Sequence, residues 1–109
     1  MIVEWLQFWI NPSARALFLE QDAQIWTPVL STQPGFLRKE YWQPTQNDHF
    51  PVHQAHSHEL VVVIYWQSRE LWKSVPLELL KMTEQQFAQA VGVEHYRLLF
   101  SQEFPIISP

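Results

Sequence analysis

The stretch from His49 to Glu59 gathers four of the chain's five histidines, His49, His53, His56 and His58, with Glu59 beside the last. Zinc requires three or four neutral imidazoles or carboxylates converging at about 2 Å. In an extended segment His56 and His58 share a face, whereas His53 has odd spacing and joins them only through a turn. The pattern matches neither the helical H-E-x-x-H arrangement nor a Cys/His finger. Two readings stand, a metal site of His53, His56 and His58 or a solvated loop between strands; the spacing favours the loop, and no metal is assigned.

A second candidate is Asp22. On a helical wheel it falls with Phe18, Ile25, Trp26 and Val29 rather than with Glu20, Gln24 and Thr27. Burial disfavours a charged carboxylate, which suits Asp22 to accept a proton near neutral pH as a catalytic base. The competing reading is a structural ion pair, with Arg15 two turns earlier or with Arg38 or Lys39 from the following strand. Phe18, Trp26, Trp66 and Trp72 are the candidate ligand-binding walls, because large aromatic rings hold flat apolar molecules by area and stacking; the same residues also serve as ordinary core. Glu4 and Glu40 sit among apolar neighbours and, with Arg38, either line a polar wall or form strand-end salt bridges.

These residues need elements to position them. Ile2 to Ile10 is apolar on both parities, a strand with two covered faces. Asn11 and Pro12 are an N-cap and first helical residue, opening a helix that carries Ala14, Leu17, Phe18, Ile25 and Val29 and bends or ends near Pro28. The turn "QPGFL" leads into a second strand, Phe36 to Gln43, and a loop over 44–57 separates it from the third, His58 to Gln67. Ser68 caps a helical region that Pro76 interrupts and Gly92 ends, and Tyr96 to Phe104 is the fourth strand. The order βαββαβ with right-handed crossovers sets both helical regions on one face of one antiparallel sheet.

At 109 residues the chain has room for one core, and a single domain over 1–109 is expected. Its 47% hydrophobic content includes six Trp and seven Phe, more apolar surface than a small protomer hides alone. Roughly eight large side chains on the uncovered sheet face, left wet, would forfeit about 10 to 20 kcal/mol, so a homodimer through that face is expected. The net charge of −4, with no Lys/Arg cluster, argues against nucleic acid. Zero cysteines exclude thiolate catalysis, and Leu60 to Trp66, the longest apolar run, is too short to span a bilayer; a cytoplasmic location is expected.

The segments "VEWLQF", "DAQIWTPVL", "PGFLRKEYW" and "VVVIYWQSRELWKSVP" make the chain resemble the dimeric α/β-barrel superfamily, a ferredoxin-like group that includes antibiotic-biosynthesis monooxygenases and haem-degrading monooxygenases. More narrowly it resembles a small bacterial family of about 100 residues within that group, for which the resemblance implies no particular reaction. It covers nearly the whole chain. It implies an α+β fold with strand order 4-1-3-2, two sheets back to back in a dimer, and a cleft between helices and sheet in each subunit. Relatives use that cleft for planar, aromatic or quinone-like molecules, several oxidising them with O₂ and neither metal nor flavin. Haem-degrading relatives place a histidine on a helix over the cleft, and neither helical region here has one. No cofactor is expected. The loop over 44–57 is longer than the hairpin the resemblance implies. Fold does not choose the chemistry. Two functions remain open: a dimeric protein binding a small hydrophobic or aromatic molecule, or a cofactor-independent monooxygenase or isomerase.

Overall fold

The computed structural model describes residues 1–43 and 58–107. In chain order the elements are β1 (Ile2–Ile10), a 3-10 turn (Pro12–Ala14), α1 (Arg15–Gln21), a π-helical turn (Asp22–Trp26), α2 (Thr27–Ser31), β2 (Phe36–Trp42), β3 (Glu59–Trp66), α3 (Arg69–Lys73), α4 (Leu77–Val91), a second 3-10 turn (Val93–His95) and β4 (Tyr96–Pro105). The four strands form one antiparallel sheet in the order β2-β3-β1-β4, the same order as 4-1-3-2 read from the other edge. Among the described residues no helix is long and apolar enough to cross a membrane. The segment 44–57, with His49, His53 and His56, lies outside the described residues; His58 is in the turn that enters β3.

Strand alternation divides the side chains between two faces. One face carries Ile2, Leu6, Phe8 and Ile10 of β1 and Leu60, Val62, Ile64 and Trp66 of β3, packed with Phe18, Leu30, Phe87 and Val91 from the helices. The opposite, open face carries a smaller cluster of Val3, Val61, Val63 and Tyr65, with Trp5 against it. The helices thus supply one main core, and the second apolar face is left to itself.

The first helical region starts where the sequence says it should. The Asn11 side chain accepts a hydrogen bond from the Ser13 N–H at 3.2 Å, and Pro12, with no N–H to satisfy, follows. Further on, helical structure does not end before Pro28 but continues through it to Ser31. It widens: the Thr27 N–H donates to the Asp22 carbonyl, a five-residue step, and the helix resumes as α2. Pro28 has no N–H and its ring would press on the carbonyl four residues back, so one extra residue in the turn relieves the conflict. Gly35, at φ +88°, closes the turn into β2; a Cβ there would come within 2.6 Å of the Leu71 Cβ.

Both edge strands contain a bulge, which alternation alone does not reveal. In β2, Phe36 pairs with Trp66 while Arg38 pairs with Tyr65, so Leu37 is the extra residue. Phe36 therefore shares the helix-side face with Lys39 and Tyr41, and Arg38, Glu40 and Trp42 turn to the open face. In β4, Leu98 pairs with Phe8 and Phe100 with Gln7, which makes Leu99 the extra residue and sends Leu98 and Phe100 to opposite faces.

Candidate functional site

Between the helices and the sheet is a cavity of about 660 Å³. Its floor is Glu4, Leu6 and Phe8 of β1 with Val62, Ile64 and Trp66 of β3, its roof is Phe18, Asp22, Trp26 and Leu30 of the first helical region, and α3 and α4 add Trp72, Leu80 and Phe87. Phe18, Trp66 and Phe87 are also among the most buried side chains, so they serve core and cavity wall together. Phe18 anchors an aromatic group, with ring centroids 5.3 Å from Phe8, 5.1 Å from Phe87 and 5.7 Å from Tyr96. Such offset and edge-on contacts stiffen a wall beyond what buried area alone gives.

Polar atoms reach this chamber at few points. Asp22 is buried, and its Oδ2 accepts hydrogen bonds from both the Lys39 ammonium and the Tyr41 hydroxyl. Lys39 also donates to the Thr27 hydroxyl at 3.1 Å. The side chains of the Asp22–Lys39 pair are 7% and 4% exposed, which makes this the one fully enclosed ion pair among the described residues. Burial pulls the Lys39 amine below its ordinary value while Asp22 pulls the other way, and burial, aided by the Asp22 charge, pushes the Tyr41 hydroxyl up. On the floor, the Glu4 Oε1 accepts from the Trp66 indole N–H at 3.1 Å. Burial holds its carboxyl above the usual range, a rise that the Trp66 bond and the charges of Lys73 and Lys39 only partly offset. At the mouth, exposed Glu84 accepts from the Tyr96 hydroxyl at 3.1 Å. Desolvation raises both the Glu84 carboxyl and the Tyr96 phenol.

All five residues singled out as catalytic or ligand-binding, Asp22, Phe18, Trp26, Trp66 and Trp72, thus border one cavity. Of the partners considered for Asp22, Lys39 is the one it has. The Arg15 guanidinium donates to the Glu59 carbonyl at 3.3 Å, and Arg38 pairs with Glu40 at 3.4 Å. A shared wall of Glu4, Glu40 and Arg38 does not exist, because the bulge at Leu37 turns the last two to the open face, where Glu40 accepts from the Tyr65 hydroxyl at 2.8 Å. Tyr41, Glu84 and Tyr96 were not anticipated. Tyr41 was hidden by the same bulge; the Glu84–Tyr96 contact joins α4 to β4 and has no local signature. No group of three or more metal-capable side chains gathers among the described residues, and the set of His53, His56 and His58 falls mostly outside them.

Comparison with known proteins finds no matching family model and no matching curated protein. Solved structures do match in fold. HapK from Hahella chejuensis superposes with a TM-score of 0.69 at 11% identity, covering 100% of this chain and 95% of that one. A dimeric ferredoxin-like protein from an uncultured marine organism gives 0.67 at 14% identity, over 99% and 96% of the two chains. SnoaB from Streptomyces nogalater, a cofactor-independent oxygenase, gives 0.64 at 14% identity, over 99% and 94%. The chain therefore has the ferredoxin-like fold of the antibiotic-biosynthesis-monooxygenase-like proteins.

Proposed function

We propose that the helix-side cavity binds a small, flat, largely apolar molecule, one in each protomer of a homodimer. The observation that carries this reading is the cavity itself. Its 660 Å³ falls within the range of small-molecule sites, and Trp26, Trp66, Trp72, Phe8 and Phe18 give it broad apolar walls. A void of this size in a protomer whose core residues are otherwise tightly enclosed forfeits packing energy that an occupant would restore. The dimer is supported by the open face, where Trp42, Phe100 and Phe104 are each about half exposed and where Trp42 and Phe104 form a shallow hollow with Val3, Trp5 and Tyr65. A second copy about a two-fold axis would cover it, and a dimeric ferredoxin-like protein is among the structural relatives.

Titration calorimetry with naphthalene tests the occupant. One molecule per protomer is expected, and Leu6→Trp, which fills the cavity from its floor, should abolish binding while the fold persists by circular dichroism. Unchanged binding in Leu6→Trp, or none in the unaltered protein, would refute the reading.

The buried Asp22 favours one second reading, catalysis of the kind SnoaB performs, cofactor-independent oxygenation. A carboxylate on the cavity wall can take an acidic proton from a phenolic substrate, and the adjacent Lys39 ammonium offsets the negative charge left behind. Oxygen uptake with 1-naphthol, lost in Asp22→Asn, would establish it; no uptake leaves binding alone.

A further inference from the structure

Glu4 is a polar feature of the cavity floor that neither reading uses. It is the third residue of β1, opposite Ile64 of β3 and Glu103 of β4, on the face the helices cover. Leu6 and Phe8, which follow it on that face, are apolar, as are Val62 and Ile64 beside them. The carboxyl accepts from the Trp66 indole N–H, and Trp66 is fully buried. Asp22 has an ammonium to neutralise it. Among the described residues no ion pair reaches Glu4.

We propose that the Glu4 carboxyl orients the cavity's ligand by donating a hydrogen bond to a carbonyl or similar neutral acceptor on an otherwise apolar ring system. This deepens the binding reading and rests on it. A carboxyl in apolar surroundings with no ion-pair partner in contact favours its protonated form, and a protonated carboxyl has an O–H to donate as well as an oxygen to accept. The Trp66 N–H occupies Oε1, which leaves the O–H directed elsewhere. Burial raises the Glu4 carboxyl above its ordinary value, consistent with that form.

The groups facing Glu4 agree. On β2, Lys39 is committed to Asp22, and on α3 the Lys73 ammonium stands 4.0 Å over the Trp72 ring. Across the strand pair, Glu103 of β4 is held by Arg69 at 2.8 Å. On α4, Lys81 leans to Glu78 at 3.9 Å, and Glu84 is occupied by Tyr96. An anionic ligand would meet the carboxyl groups of Glu4, Asp22 and Glu84, with Lys39, Lys73 and Lys81 already engaged elsewhere. A neutral acceptor meets no such opposition.

Three probes with one ring system separate the possibilities: naphthalene, 1-acetylnaphthalene and 1-naphthylmethylammonium, titrated from pH 5.5 to 8.5. 1-Acetylnaphthalene should bind about three- to tenfold more tightly than naphthalene at the acid end, the worth of one net hydrogen bond. Its advantage should shrink as pH rises and Glu4 ionises. Glu4→Gln, whose amide also donates, should keep an advantage that no longer varies with pH; in Glu4→Leu the advantage should vanish, 1-acetylnaphthalene and naphthalene binding alike at every pH.

Equal binding of 1-acetylnaphthalene and naphthalene, or an advantage that survives Glu4→Leu, would overturn the assignment. So would preference for the ammonium probe growing with pH, because Glu4 would then be a counter-ion. Those results spare the cavity reading, whereas failure of naphthalene itself to bind removes both.

Discussion

The two faces of the sheet are built from similar residue types and end in opposite conditions. On the helix side, Leu60, Ile64 and Trp66 are at most 3% exposed, and the space left over is a chamber with an enclosed ion pair. On the open side, β3 contributes residues as apolar, Val61, Val63 and Tyr65, yet Phe100 and Phe104 of the neighbouring β4 remain about half exposed. Polar chemistry follows the same division. Asp22–Lys39 is sealed, whereas the open face carries Arg38–Glu40, with side chains 57% and 40% exposed. An apolar strand therefore does not reveal what its two sides are for; what packs against each side does. The helices make one face a container, and leave the other, the face proposed to meet a second protomer, uncovered.

The largest test of this contrast is to break one ion pair on each side. Lys39→Met strands the buried Asp22 carboxylate with only Tyr41 as a donor and should cost about 3 to 5 kcal/mol in urea denaturation. The double variant Asp22→Leu with Lys39→Met should recover much of that loss, because the penalty comes from the unpaired charge. Arg38→Met on the open face should change little, since exposed pairs are screened by solvent. Comparable losses from Lys39→Met and Arg38→Met would erase the distinction.

Next in size is the open face itself. Phe104→Asp places a charge beside the hollow formed with Val3, Trp5, Trp42 and Tyr65. It should weaken self-association by about 2 to 4 kcal/mol, read by sedimentation equilibrium, with naphthalene binding preserved. A protein that sediments as one protomer before the change would contradict the proposed dimer.

The smallest effect concerns Glu4. Its folded-state value lies above the unfolded one, so the folded protein holds this proton more tightly, and the associated stability is lost as pH rises through the folded value. Glu4→Gln removes that dependence. Its melting temperature relative to the unaltered protein should therefore climb between pH 5 and pH 8, and a difference that stays flat or falls would contradict the burial of this carboxyl.

Most of the architecture was legible because local signals agreed. Asn11–Pro12 opens a helix, Gly35 turns the chain, and the runs in β1 and β3 are apolar on both parities. Asp22 was legible as a buried acid because its helical neighbours are apolar, and Lys39 was among its anticipated partners. The route by which Lys39 arrives was not. One extra residue at Leu37 reverses the facing of the rest of β2, and no residue there announces a bulge. Pro28 signalled a break, and the physical conflict it poses was real; a wider turn resolved it instead. Long-range pairs such as Glu84 with Tyr96 depend on how α4 meets β4, which is a property of the assembled core.

The six tryptophans divide between the faces, with Trp26, Trp66 and Trp72 bordering the cavity and Trp5, Trp9 and Trp42 on the other side. Their indole N–H signals in a ¹H–¹⁵N spectrum therefore report both faces at once. Naphthalene should move the Trp26, Trp66 and Trp72 signals in a saturable titration and leave Trp5, Trp9 and Trp42 in place. Shifts confined to Trp5 and Trp42 would put the molecule in the open-face hollow and contradict the account.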